Sequence, residues 1–339
     1  MLNPYYSGLN EAKFGAYSLA VLPTGVFLLL IQIIITITAL AYIRRRFYEV
    51  FYYVHVILGS IFFIAACIHA STNFYCLLPG LLLWLYDWTW RLFFDTGLSK
   101  QRTATIQDAG NGWCRISVAQ ESKVTDEALP LRTYYLNIPE VSKVQCHPFS
   151  CTTATGNLEF LLPHAAKTNG VSEKQWTSRI ARLSNNEAQA TRVRLEGSHN
   201  SSVPAMFGAS NIICIVGGTG ITGALSIASW WLRTAQKSTL TIVWTIRDEV
   251  TIELDEWQEL CSMSKENPRL CIQSHITSIA SRLSVEQTLV DVMSGQEHDK
   301  RTWLYVSGPE SLLDTAETAC VKLQKTYRSL DWHVARWDV

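Results

Sequence analysis

Charge of either sign is not in excess in this chain. Its 29 basic residues balance 29 acidic ones, so net charge gives no reason to expect nucleic acid as a partner. Cysteine pairing signals are missing too. The nine cysteines, at 67, 76, 114, 146, 151, 214, 261, 271 and 320, contain no CxxC motif, which removes the usual sequence mark of a zinc site or a dithiol centre. No internal repeat or low-complexity tract is visible. Residues 1–19 lack the basic start, apolar run and small-residue cleavage site of a signal peptide, and none is expected. Charge is also scarce locally: the chain is 48% hydrophobic and 17% charged, and the apolar excess lies mostly before residue 96.

That excess is arranged in runs. Ala20–Ile43 carries no charge and is long enough to cross a bilayer, and Tyr48–Ala70 gives a second span. Cys76–Phe94 is a marginal third, with Asp87 and Arg91 four apart and tryptophans suited to an interface. Residues 1–96 are therefore expected to be a transmembrane region of about three helices (20–43, 48–70 and 76–94) in a lipid bilayer. Arg44, Arg45 and Arg46 lie on the same side as Arg91, Lys100 and Arg102, while the STNFY connection at 71–75 is uncharged. By the bias of basic residues toward the cytoplasm, the amino terminus lies outside and the carboxy-terminal two thirds is cytosolic.

Two histidines interrupt the second run. A 100° turn per residue returns His55 and His69 to nearly one face, roughly 21 Å apart along a helix. A single histidine in an apolar helix can equally hydrogen-bond within a bundle or sit at the headgroup boundary. A pair on one stripe points instead to metal ligation or a relay, and two stacked haems would need such a stripe.

From about Thr103 the texture changes to short β-branched and aromatic stretches, TATIQ, CRISVA, RTYYLNI and NLEFLL, separated by turn residues. These predict a small antiparallel barrel whose last strands flank His147-Pro148-Phe149-Ser150. Ser172–Leu183 reads as a helix whose first turn, with Thr177, could receive a phosphate. Next comes the buried-strand pattern NIICIV, followed by Gly217-Gly218-Thr219-Gly220-Ile221-Thr222 and a helix to about Thr234. Strand, glycine turn and helix make a pyrophosphate site, since missing side chains let the backbone approach and the helix dipole favours the anion. The following strand, TLTIVWTI, ends in Arg247, whose fork could hold a 2′-phosphate or pair with Asp248 or Glu249. A last unit, TWLYV, ends at Ser307-Gly308-Pro309. Alternating strands and helices argue for a parallel sheet with ligands at the carboxy ends of its strands.

The combination resembles the ferric reductase superfamily. RRRFYEVFYYVH with His69 is similar to the family's penultimate membrane helix, HPFS to its flavin motif, GGTGIT to its nucleotide motif, and SGP to its Cys-Gly-Pro. YYLNIPEVSKVQCHPFS most resembles the plant and algal ferric-chelate reductases. The resemblance implies a multi-domain membrane protein: an α-helical transmembrane bundle, an antiparallel β-barrel flavin domain over 97–205, and an α/β parallel-sheet nucleotide domain over 206–339, the last two like ferredoxin reductase. It implies FAD lined by His147, Pro148, Phe149 and Ser150, with Thr177 at its phosphate. Gly217, Gly218, Thr219, Gly220, Ile221 and Thr222 would cradle the pyrophosphate of NADPH, with Ser307, Gly308 and Pro309 beside the nicotinamide and Ser307 in the catalytic position. His55 and His69 would be axial ligands of haem b.

On this pattern, electrons pass from cytosolic NADPH through FAD and haem to an external ferric chelate, at the plasma membrane. Superoxide production is an alternative outcome of the same route, and an inactive or partner subunit is another. Each haem would have one ligand from this chain, because the other six histidines (147, 164, 199, 275, 298 and 333) follow the spans. Missing amino-terminal helices, or a further chain, would supply the second ligands.

Overall fold

The computed structural model describes residues 23–69, 71–93, 101–119, 129–142, 145–154, 156–163, 176–184, 189–200, 203–234, 237–249, 253–294 and 300–336. They form two compact units that divide between Phe94 and Asp95.

The first unit is helical. Helix α1 (Pro23–Ala39) ends at Leu40, whose extended backbone (φ −54°, ψ 136°) separates it from the short α2 (Ala41–Arg46). Thr36 and Thr38 donate to the carbonyls of Gln32 and Ile34 just before the break. Such back-bonding weakens and bends a helix. Helix α3 (Tyr48–His69) is unbroken, and α4 (Ser71–Phe93) contains Pro79. Three spans were expected. Among the described residues one segment, Val50–Cys67 in α3, is long and apolar enough to cross a membrane. Two shorter apolar stretches, Pro23–Ala39 and Tyr75–Asp87, are seen among the described residues, the first followed by the break at Leu40.

The second unit contains two sheets. The first has six antiparallel strands: β1 (Gln101–Gly110), β2 (Trp113–Val118), β3 (Arg132–Asn137), β4 (His147–Ser150), β5 (Leu158–Pro163) and β6 (Gln189–Asn200). Their order is β4-β3-β6-β1-β2-β5. The expected closed barrel is corrected to an open sheet, since β4 and β5 end it on opposite edges. Strand β4 is four residues long, and Pro148 has no N–H to give a further neighbour, which suits an edge. Helix α5 (Trp176–Leu183) packs Trp176 and Ile180 into the apolar core formed by Ile106, Ile116, Leu136 and Phe160. Ser172, where this helix was expected to begin, lies outside the described residues.

After the short α6 (Pro204–Phe207) the chain enters a parallel sheet. It comprises β7 (Asn211–Gly217), β8 (Thr239–Ile246), β9 (Leu270–Ile276), β10 (Thr302–Ser307) and β11 (Leu330–Ala335), ordered β11-β10-β7-β8-β9. Helices α7 (Ile221–Thr234), α8 (Asp255–Glu266), α9 (Val285–Ser294) and α10 (Glu310–Leu323) connect these strands. Strand β7 is buried throughout. Ile212, Cys214 and Val216 meet the core that includes α7, while Ile213 and Ile215 meet α9 and α10. A strand covered on both faces needs a continuous apolar run, which NIICIV supplies.

The sheets are tied together within this unit. The Arg115 Nε donates to Glu256 at 2.8 Å, with Asp255 at 3.5 Å, and Glu159 lies beside this cluster. Burial pushes the Glu159 carboxyl up, Arg115 opposes the shift and Glu256 adds to it. A carboxyl whose pKa is raised by folding binds more protons in the native chain, so its burden on stability grows as pH rises past the ordinary carboxylate range. Glu159→Gln is therefore expected to raise the thermal midpoint at pH 7 and to leave it unchanged near pH 3. Melting curves across that interval check this, and an equal gain at both ends would contradict it.

Candidate functional site

The order in which strands are added reverses between β7 and β10, which pair directly in parallel, with Ser307 opposite Val216. Ligands of open α/β sheets bind outside the carboxy ends of strands at such a switch. Gly217 ends β7 there, residues Gly218–Gly220 make one tight turn, and α7 begins at Ile221. Each glycine of this turn has a separate steric reason. Gly218 has φ +52°, and its carbonyl accepts from Trp244 Nε1 at 2.9 Å. A Cβ on Gly217 would stand 2.8 Å from Pro309 Cδ, and one on Gly220 would collide with the Ser307 carbonyl oxygen and lie 2.7 Å from its carbon. Gly308, at φ +150°, approaches the Gly217 nitrogen within 2.9 Å of where its own Cβ would be.

The structure thus brings Gly217, Gly218, Gly220, Ser307, Gly308 and Pro309 together. Thr219 is exposed, Ile221 is buried, and Thr222 donates to the Thr219 carbonyl at 3.2 Å. Arg247 is exposed just past β8 and makes no ion pair with Asp248 or Glu249.

One neighbour of the turn was not foreseen. Tyr305 is fully buried with its hydroxyl where a Cβ on Gly223 would be, its ring carbon Cζ 2.6 Å from that point. Burial raises the Tyr305 phenol far above its ordinary range, and the Ser307 side chain partly offsets this. Gly223→Ala is expected to destabilise the chain by about 1–3 kcal/mol through overpacking. Tyr305→Leu in the same chain should recover much of that loss. A double-mutant cycle of denaturation midpoints measures the coupling, and additive effects would rule out this contact.

The second cluster lies on β4. Antiparallel pairing sets His147 opposite Leu136 and Phe149 opposite Tyr134, so both point to the same face. Pro148 and Ser150 lie on the other face, opposite Tyr135 and Thr133. Trp176, in the first turn of α5, stacks on Phe149 with ring centres 5.5 Å apart and meets His147 at 4.6 Å. His147 Nε2 and Trp176 Nε1 are buried without a hydrogen-bond partner. Burial lowers the His147 pKa and favours a neutral imidazole. Thr177, half-buried, is next in the same turn. Trp176 was missed from sequence, although it adjoins Thr177 at the start of an amphipathic helix.

Helix α7 connects the two clusters. Its Ser226 hydroxyl accepts from the backbone N–H of Leu131, just before β3, and its Ser229 hydroxyl accepts from that of Ala154, just after β4, each at 3.0 Å.

In the helical unit, His55 Nδ1 lies 2.9 Å from the Phe51 carbonyl and must donate to it, which leaves Nε2 as the lone-pair nitrogen. His69 Nδ1 is 2.8 Å from Thr24 Oγ1, and a Cβ on Gly25 would stand 3.2 Å from the His69 ring. Both imidazoles are thus oriented through Nδ1, and with Thr24 accepting from His69 its Nε2 carries the lone pair as in His55. This is the usual arrangement of a metal-binding histidine. Among the described residues no three His, Cys, Asp or Glu side chains converge.

Residues 4–67 match the family described as "Ferric reductase like transmembrane component". Ferric reduction oxidase 8, mitochondrial, of Arabidopsis thaliana is 30% identical over 207 residues, 60% of this chain and 28% of that protein. Ferric reduction oxidase 2 of the same plant is 27% identical over 203 residues, 59% and 27% of the two chains. A probable ferric reductase transmembrane component of Candida albicans is 26% identical over 219 residues, 62% and 31%. The chain therefore spans less than a third of the length of these relatives. Among solved structures, a ferredoxin-NADP+ reductase of Plasmodium falciparum superposes with a TM-score of 0.51 at 16% identity, over 70% of this chain and 97% of that one. A cytochrome P450 reductase of Amycolatopsis gives 0.50 at 16%, over 71% of each. These two likenesses establish the reductase fold.

Proposed function

We propose, from a chain related to the plant-type ferric reductases, that it is a membrane oxidoreductase carrying electrons from NADPH through FAD to a ferric chelate. The observation that carries this reading is α7, which starts at the glycine turn and hydrogen-bonds beside the strand bearing His147-Pro148-Phe149-Ser150. A dinucleotide site and an aromatic-lined strand with unpaired buried nitrogens thereby share one junction.

In this reading residues 97–205 hold the flavin and residues 206–339 hold NADPH. Gly217, Gly218 and Gly220 let the backbone approach the pyrophosphate, and the start of α7 favours its charge. Arg247, exposed at the end of β8, would meet the 2′-phosphate and so prefer NADPH over NADH. Ser307, clamped between Gly220 and Tyr305, would set the depth of the nicotinamide. Trp176, Phe149 and His147 would flank the flavin, with the first turn of α5 and Thr177 near its phosphates. A flavin bound there supplies the conversion of a two-electron donor into single-electron steps.

His55 and His69 would each offer Nε2 to a haem b, which supplies the one-electron path across the membrane. The second ligand of each would come from outside this chain, through further helices or another subunit. The amino terminus would face outside and the reductase unit the cytosol, at the cell surface. Membranes containing this chain, supplied with NADPH and a ferric chelate, are expected to form Fe(II), read with a trapping dye. FAD binding without chelate reduction would contradict the assignment, and superoxide formed despite excess chelate would point to an oxidase.

A further inference from the structure

Arg132 is only 6% exposed, yet it makes no ion pair among the described residues. One terminal nitrogen donates to the Thr153 carbonyl at 3.0 Å, and its Nε has no partner. A buried cation held by one neutral acceptor is unfavourable unless an anion joins it. Leu131 beside it has φ +55°, a left-handed conformation unfavourable for a residue with a side chain. Strain of this kind persists where neighbouring structure over-determines it, often at a ligand clamp. Here the clamp is the Leu131 N–H bonded to Ser226 of α7.

The register places this guanidinium relative to the flavin strand. Arg132, Tyr134 and Leu136 share one face by alternation, and Phe149 and His147 lie opposite the last two. Arg132 therefore lies on the Phe149 face, beyond the Ser150 end, where its carbonyl accepts from Cys151. Trp176, at the start of α5, lies nearer His147 (4.6 Å between ring centres) than Phe149 (5.5 Å), and Thr177 follows it in the helix. The four residues of β4 extend about 13 Å. Phosphates at the α5 end would leave the ring system near Arg132, next to the helix that begins at the glycine turn.

We propose that Arg132 is the electrostatic partner of the flavin ring and favours its reduced, negatively charged form. This rests on the flavin reading above. A hydride leaving NADPH carries both electrons, so NADP+ is released and the neutral ring becomes singly negative without taking up a proton. A fixed cation beside that ring makes the transfer more favourable, and its own burial is compensated when the charge arrives.

The test uses the full chain in detergent with FAD added, comparing wild type with Arg132→Gln and Arg132→Lys. In Arg132→Gln the flavin midpoint potential should fall by at least about 30 mV, equivalent to a tenfold loss of preference for the reduced form in a two-electron couple. Sulfite, which adds to the oxidised flavin ring and leaves it negatively charged, should bind at least tenfold more weakly. Arg132→Lys should stay close to wild type in both measurements. Without FAD, Arg132→Gln should melt no lower than wild type, because it removes an uncompensated charge. An unchanged potential in Arg132→Gln overturns the proposal. A Lys variant as low in potential as the Gln variant does so too, and so does equal weakening of FAD and AMP with no potential shift, which would mark a phosphate site. A wild-type chain that takes up no FAD overturns the flavin reading itself.

Discussion

Gly220→Val is expected to weaken NADPH binding roughly tenfold to a hundredfold, with flavin reduction at limiting NADPH falling accordingly, and to lower the melting midpoint of the chain. The turn that carries Gly220 lies against the end of β10, where the added Cβ would meet the carbonyl group of Ser307. Backbone atoms cannot rotate away as a long side chain can. The only relief is to separate the turn from β10, which pulls apart the cradle and the residues Ser307-Gly308-Pro309 beside it. Overpacking of this kind costs about 1–3 kcal/mol, and a comparable loss of binding free energy corresponds to roughly tenfold to a hundredfold in NADPH affinity.

Gly218→Ala is the natural comparison. No heavy atom lies within 4 Å of its added Cβ, so only the left-handed backbone is penalised, by roughly 1–2 kcal/mol. NADPH titrations followed by flavin bleaching, with melting curves on the same samples, separate the two variants. Wild-type affinity in Gly220→Val would remove the basis for the nucleotide cradle.

On the proposed electron path, replacement of His69 or His55 by alanine should separate flavin reduction from reduction across the membrane. Reduction of a ferric chelate on the far side of sealed vesicles should fall at least a hundredfold, while NADPH reduction of a soluble dye at the flavin should continue. Dye reduction needs only the reductase unit, whereas crossing the membrane would need every imidazole of the path. Thr24→Val should have a smaller effect, because it removes the hydrogen bond that orients His69 and leaves Nε2 in place. Outer-layer changes of this type typically cost 10–100-fold in metal affinity. Rates measured with chelate inside or outside the vesicles decide the matter, and far-side reduction by either alanine variant would exclude these histidines from the path.

Much of the reductase unit was legible in the sequence because its signals are local. NIICIV followed by glycines can hardly be anything but a buried strand running into a tight turn, and the structure has β7, the turn and α7 there. Beyond Ser307-Gly308-Pro309 the helix α10 ends at Leu323, and an eleventh strand, Leu330–Ala335, follows it. LDWHVA alternates too weakly to declare itself. Closure of the antiparallel sheet was also not legible, because a strand's composition does not say whether its outer edge finds a partner.

The spans fared similarly. Apolar length was visible in Ala20–Ile43, but the extended backbone at Leu40 was not, nor were the threonine side chains that bond back to the helix before it. Arg132 gave no sign at all: in RTYYLNI it reads as an ordinary exposed residue flanking a strand. Its burial follows from long-range contact with the turn at 151–154, which only the folded chain brings near.

Helix α7 also limits how this protein could be taken apart. The same fourteen residues start a nucleotide cradle at one end and lend two serine hydroxyls to the neighbouring sheet along their length. Neither sheet is a portable module, since cutting the chain between them would leave the backbone N–H groups of Leu131 and Ala154 without acceptors. A fusion or fragment built from one sheet alone would have to supply a substitute for that helix.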